Sequence, residues 1–175
     1  MSTMYVTEAV NLFCGNDDPT ASKHLTIAEL KLPDMNEIFA DHSPGGGRVG
    51  IEVGVGIEKL GATFKLNGED PQLLTQFGLG TRVSNNYTGL GSIVDKRTGR
   101  VMQMKTVMEG RLGKIAPDAF QRGELKGHEY AINAIMHYEL FFDGVEKFYF
   151  DFFANAWRVD GVDQNSDMNR ALMIG

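Results

Sequence analysis

A mainly β fold is predicted by three features of this 175-residue chain. The first is the run 128–142, which alternates apolar and polar residues with neither Gly nor Pro inside it. Tyr130, Ile132, Ala134, Met136, Tyr138, Leu140 and Phe142 fall on one parity, and Glu129, Ala131, Asn133, Ile135, His137, Glu139 and Phe141 on the other. Side chains in a strand alternate faces, so the first set lines a core while most of the second meets water. At about 3.3 Å per residue the run spans roughly 50 Å, well beyond the usual strand of about 5–6 residues. A strand that long suits an assembly whose subunits share sheets. The second feature is the alternation of Val49, Ile51, Val53, Val55 and Ile57 with Gly50, Glu52, Gly54, Gly56 and Glu58. One face of that strand is nearly bare backbone, which weakens it unless something approaches closely. The third is turn chemistry: Asp143-Gly144 lies between β runs, Asp160-Gly161 follows, and 21 Gly suit a turn-rich β fold.

From the N-terminus, residues 5–13 read as a first strand, ended by Gly15-Asn16-Asp17-Asp18-Pro19. Residues 23–32 read as a second; a parity change near Ala28-Glu29 signals a bulge, and Pro33 stops the strand. Residues 34–47 read as a long polar connection, which ordered domains seldom carry unless it works. After the Gly-rich strand, Ala62, Phe64 and Leu66 continue the alternation. Asp70 then fits an N-cap and Pro71 the first helical position, with Leu73, Leu74 and Phe77 on one face until Gly78. This is the one convincing helix of the body. Strands resume over 81–94, turn at 95–99 and return over 100–115, where Met102, Met104, Thr106 and Met108 oppose Val101, Gln103, Lys105, Val107 and Glu109. Residues 117–123 form a loop before the long strand, and the chain runs back through Phe148, Phe150 and Phe152. Residues 164–172 are polar enough to be a helix or an arm that docks elsewhere. Residues 1–175 read as a single domain of a size that allows a sizeable core.

Composition removes several function classes. Asp and Glu (23) exceed Lys and Arg (17), giving a net charge of −6, which argues against tight binding to a phosphate backbone. The lone Cys14 excludes an internal disulfide and a Cys-based zinc site. No apolar stretch approaches the roughly 18 residues of a membrane span. The first residues lack the regions of a signal peptide, so synthesis and folding in the cytoplasm are expected.

No constellation supports catalysis. His24, His42, His128 and His137 lack the paired spacing of metal ligands. Residues 163–167 imitate a calcium loop but lack the Gly at position six, and Ile174 stands where a bidentate Glu is needed. Lys59 occupies the third glycine position of a dinucleotide fingerprint. Cys14 beside Phe13 reads as a small packed side chain, and Glu69-Asp70 as charges suited to a helix start. The expectation is a protein that is not an enzyme, with no catalytic, cofactor or metal site.

The second half of the chain resembles the major tail tube proteins of contractile-tailed phages and of R-type bacteriocins. The matching residues are Val107-Met108-Glu109-Gly110-Arg111 with Lys114-Ile115, then Gly123-Glu124 and Lys126, the strand end Tyr138-Glu139-Leu140, and Asp143-Gly144. Val159-Asp160-Gly161-Val162-Asp163 with Arg170, Leu172 and Gly175 closes the pattern, and Leu30-Lys31-Leu32-Pro33 agrees more weakly. The stretch 117–122 is longer than the family pattern.

The resemblance implies a β-sandwich or barrel with one flanking α-helix, an extended loop and a C-terminal arm. It implies hexameric rings that stack into a hollow tube inside a contractile sheath, carrying DNA or puncturing an envelope. Implied partners are further copies of the chain and the sheath, baseplate and tail-terminator proteins, with DNA passing through the lumen unbound. The implied location is a virion tail assembled in the bacterial host cytoplasm. In such a tube the polar parity supplies lumen candidates: Glu52, Gln103, Lys105, Glu109, Glu129, Asn133, His137 and Glu139. The loop supplies inter-subunit candidates Asp34, Asn36, Asp41, Ser43, Gly45, Gly46 and Gly47, and the arm supplies Asp163, Arg170 and Leu172. Two other readings are a type VI secretion tube protein and a monomeric β-barrel that binds a small ligand.

Overall fold

The computed structural model describes residues 2–15, 19–82 and 84–174. Asn16, Asp17 and Asp18 of the first expected turn, Val83 of the strand expected over 81–94, and the terminal Gly175 lie outside the described residues. The fold is mainly β and antiparallel. In chain order the strands are β1 (Tyr5–Cys14), β2 (Ile27–Lys31), β3 (Glu37–His42), β4 (Ile51–Ile57), β5 (Ala62–Asn67), β6 (Asn85–Asp95), β7 (Val101–Pro117), β8 (Gly127–Phe142), β9 (Val145–Asp151), β10 (Ala156–Val159) and β11 (Val162–Asp163). Helix α1 (Pro71–Leu74) follows β5, and α2 (Ser166–Leu172) follows β11.

Nine strands make one branched sheet in the order β1-β6-β7-β8-β9-β10-β11, with β5 also paired to β8 and β2 to β5. The length of β8 creates the branch. Its residues 127–132 pair with β5 on the edge that residues 137–142 use for β9. The sheet curls, because Phe64 of β5 meets Tyr87 of β6 with ring centroids 6.5 Å apart although two strands separate them in the ladder. Just before β2 the chain lies against β1, where the Lys23 amide donates to the Leu12 carbonyl at 2.9 Å. A sandwich-like core results: Leu12, Phe64, Leu66, Leu73, Tyr87, Met108, Leu112, Tyr130, Ile132 and Tyr138 are all buried. Burying such side chains stabilises by about 1.5–3 kcal/mol each.

Two backbone positions show why the sequence permits this packing. Gly127 starts β8 where an added Cβ would collide with the Leu66 carbonyl oxygen, so only glycine lets β5 and β8 pair there. Gly110 of β7 faces a bulge in β8, and a Cβ there would stand 2.9 Å from Ile132 Cγ2.

That bulge corrects the reading of 128–142 as one evenly alternating strand. Glu109 pairs with His137 and Arg111 with Asn133, so two β7 steps oppose four in β8. Ala134 takes φ +50° at the bulge. Ala134, expected inside, is exposed, and Ile135, expected on the polar face, is buried. The alternation recovers beyond it, with Tyr138 again in the core.

Other boundaries differ too. The second strand starts at Ile27 instead of residue 23, and its register shift between Ile27 and Glu29 is the expected bulge. The α1 helix is capped by Asp70, which accepts from the Leu73 amide, but it ends at Leu74. Leu73 is buried while Leu74 and Phe77 are exposed, so the three do not share a core-facing side. The largest correction concerns 34–47, expected as a loop. Residues 37–42 form β3 and pair with β4 as a separate two-stranded ribbon.

Candidate functional site

The expected lumen residues divide by strand pairing. On β7 and β8, Glu109 stands opposite His137, Val107 opposite Glu139 and Lys105 opposite Phe141, while Gln103 pairs with Ser92 of β6. Directly opposed residues project to one face, so Gln103, Lys105, Glu109, His137 and Glu139 share the outer face of the sheet. Glu129 and Asn133 lie on that same face on the other side of the bulge, opposite Ala116 and Arg111. Glu52 does not join them. It sits on β4 of the separate ribbon, opposite Asp41.

The outer face is a network of charges. His137 lies between two carboxylates, Nε2 at 3.0 Å from Glu139 Oε1 and Nδ1 at 3.1 Å from Asp151 Oδ2. The Ala154 amide, and after it His137, hold the Asp151 carboxyl below its ordinary value. Next to this group Arg158 clasps Glu146 through two hydrogen bonds of 2.9 and 2.8 Å, and its guanidinium lies 3.5 Å above the Tyr149 ring. That fork lowers the Glu146 carboxyl and raises Arg158. At the far end of β8, Lys114 bonds Glu129 at 2.7 Å and lowers its carboxyl. Asp151, Tyr149, Glu146 and Arg158 were missed from sequence because β9 and β10 are short and their register depends on β8.

The loop and arm residues occupy two other places. Asp41 belongs to β3; Ser43, Gly45, Gly46 and Gly47 form the tip joining β3 to β4, and all five are exposed. At the ribbon's base Asn36 bonds Glu58 at 3.2 Å, and just before it Asp34 pairs with Lys31 at 2.7 Å. The ribbon also exposes Ile38, Phe39, Ile51, Val53, Val55 and Ile57. A lone two-stranded hairpin is marginal in water, so such a surface calls for a cover. Asp163 belongs to β11 opposite Arg158, whereas Arg170 and Leu172 lie on α2, which buries none of its residues. Beside the ribbon a cleft of about 840 Å³ is lined by Ile57, Leu60, Ile135, Met136, Phe150 and Trp157, among others.

The sequence decoys resolve simply. Cys14 is buried, and burial pushes its thiol up to about 12, which removes the thiolate needed for nucleophilic attack. Lys23 and Asp70, 2.6 Å apart, close the core beside it. His128 is buried with Nδ1 unpartnered, next to the unpartnered Tyr130 hydroxyl, which burial pushes up to about 12. No group of three or more His, Cys, Asp or Glu suited to a metal ion occurs among the described residues. Among them, no helix is long and apolar enough to cross a membrane.

A family model described as phage tail tube protein FII matches residues 19–173. The chain belongs to the phage tail tube protein FII family. That family is structural, and membership assigns the chain a structural role in a tail tube. A solved structure with the same fold is a chain of the anti-feeding prophage baseplate, determined by cryo-electron microscopy with 6-fold symmetry imposed. It is 8% identical with a TM-score of 0.51, and the alignment covers 81% of this chain and 97% of that one. Comparison with curated proteins finds no match.

Proposed function

We propose that six copies of this tail tube protein close into a ring, and that rings stack into the hollow inner tube of a contractile tail or a phage-tail-like particle. The observation that carries this reading is the mostly polar outer face of the long-stranded sheet, backed by an apolar core. In the proposed arrangement that face lines the lumen through Gln103, Lys105, Glu109, Glu129, Asn133, His137 and Glu139. Glu52 is placed instead with the β3–β4 ribbon. A channel wall carrying Glu109, Glu129 and Glu139, with Lys114 already held by Glu129, leaves DNA phosphates little to grip.

Lateral contacts are supported by the sheet edges. Pairing between neighbouring copies would satisfy backbone groups along the outer edge of β1 before Leu12, where residues 22 and 23 already bond it, and a heterologous interface closes into a ring when its rotation allows. The ribbon, with Asp34, Asn36, Asp41, Ser43 and Gly45 to Gly47, and the segment holding Asp163, Arg170 and Leu172 are assigned to contacts between copies. Sheath, baseplate and tail-terminator proteins are the remaining partners, with assembly in the host cytoplasm before DNA is conducted or an envelope is pierced.

The test is direct. Purified protein is imaged by electron microscopy across a concentration series, with rings and hollow tubes expected. A protein that stays monomeric at every concentration defeats the proposal.

A further inference from the structure

The two ends of the long strands carry complementary features that the lateral contacts do not use. At one end, in the loop between β7 and β8, Phe120 is 91% exposed and Leu125 77% exposed. Single exposed apolar residues are ordinary, but a phenylalanine held almost wholly in water on the same loop as the exposed Leu125 is a candidate anchor. At the other end, an apolar pocket of about 390 Å³ is lined by Met104, Leu140, Phe142, Phe148 and Val159, with Asp160 at its rim. A cavity of about 150 Å³ already suffices for a benzene ring. From Met104 to Pro117 the strand rises roughly 40 Å, so knob and socket lie far apart on one subunit and cannot meet within it.

Charge supports the match. Arg122, two residues from Phe120, has no ion-pair partner among the described residues. Asp160 engages Lys147 through Oδ1 at 2.6 Å, which leaves Oδ2 for an incoming cation.

We propose that Phe120 of one copy inserts into the Met104–Leu140–Phe142–Phe148–Val159 pocket of a second copy, with Arg122 beside that copy's Asp160, as an axial contact between stacked rings. The inference deepens the tube reading and rests on it. A knob at one end and a socket at the other form a heterologous contact whose repetition along the strand direction gives an open filament. An aromatic in a pocket is an anchor within a larger interface, since a stable one buries about 800 Å² per partner.

The experiment combines three variants. Phe120→Ser is expected to form rings but to raise the concentration needed for tubes about tenfold or more, whereas Phe120→Leu retains stacking. The double variant Phe120→Cys with Val159→Cys, oxidised as assembled tubes, is expected to give a ladder of covalent multimers that neither single variant gives. Normal tubes from Phe120→Ser overturn the inference, as do tubes of the double variant that oxidise without a ladder; both leave the tube reading standing. Absence of rings and tubes from the unaltered protein overturns that reading and the inference together.

Discussion

At the scale of single residues, the fold depends on places where a side chain has no room. Gly127 is the sharpest case, because the atom its Cβ would strike is the backbone oxygen of Leu66, which cannot swing aside. Gly127→Ala is therefore expected to destabilise by about 3 kcal/mol or more, read from the urea midpoint. A change below about 1 kcal/mol would mean that β5 and β8 separate there at little cost. Titration acts at the same scale. The Asp95 carboxyl is held below its usual range by Thr3 and the Arg97 amide, Asp118 by Lys65, Glu129 by Lys114, Glu146 by Arg158, and Asp151 by the Ala154 amide. A carboxyl whose folded value is depressed stabilises the fold above its unfolded value and ceases to do so as pH falls through the folded one. Stability is thus expected to fall once pH drops below the ordinary carboxyl values of 3.8 for Asp and 4.5 for Glu, with these groups contributing no slope between pH 6 and 8. Thermal unfolding followed across that range checks it, and a midpoint that holds level down to pH 2 would contradict it.

At the scale of elements, the β3–β4 ribbon separates what folds the subunit from what joins subunits. Both strands are exposed throughout, and the tip residues 43–47 are exposed and form no part of the buried core. Deleting 43–47 is expected to leave the unfolding midpoint within a few degrees of the parent while cutting tube yield severely, as scored by sedimentation and negative-stain images. Full-length tubes from the shortened protein would make the ribbon an ordinary surface hairpin. The ribbon also shows why part of the site was hidden in the sequence. Glu37-Ile38-Phe39-Ala40-Asp41-His42 has no core-facing side, so its apolar residues need not alternate, and alternation is the signal that betrays a strand. The adjacent Ile38-Phe39, followed by a Pro-Gly turn and a Gly-rich strand, was the clue available. The bulge at Ala134 was equally hidden, since Gly110, the residue that makes room for it, lies on another strand.

At the scale of the whole molecule, the proposed lumen can be tested by charge. Changing Glu129 and Glu139 together to Lys removes the partner of Lys114 and one of the two carboxylates beside His137, and places cations on the outer face. If that face lines a DNA-conducting channel, tubes form normally and DNA ejection slows about tenfold or more, because phosphate contacts release counterions and add affinity. Unchanged ejection through intact tubes would put the face elsewhere.

The sequence alone determined the β class, the hairpin at Asp143-Gly144, the turn at Asp160-Gly161, the Asp70 cap and the polar face of β7 and β8, because periodicity and turn chemistry act over a few neighbouring residues. Only the tertiary structure decided that β8 branches the sheet, that Ile135 enters the core through a bulge, that Glu52 leaves the polar face, and that His137 stands between Glu139 and Asp151. Those outcomes depend on register between strands distant in sequence, where one step of slip exchanges the faces of a whole strand and no local pattern records the choice.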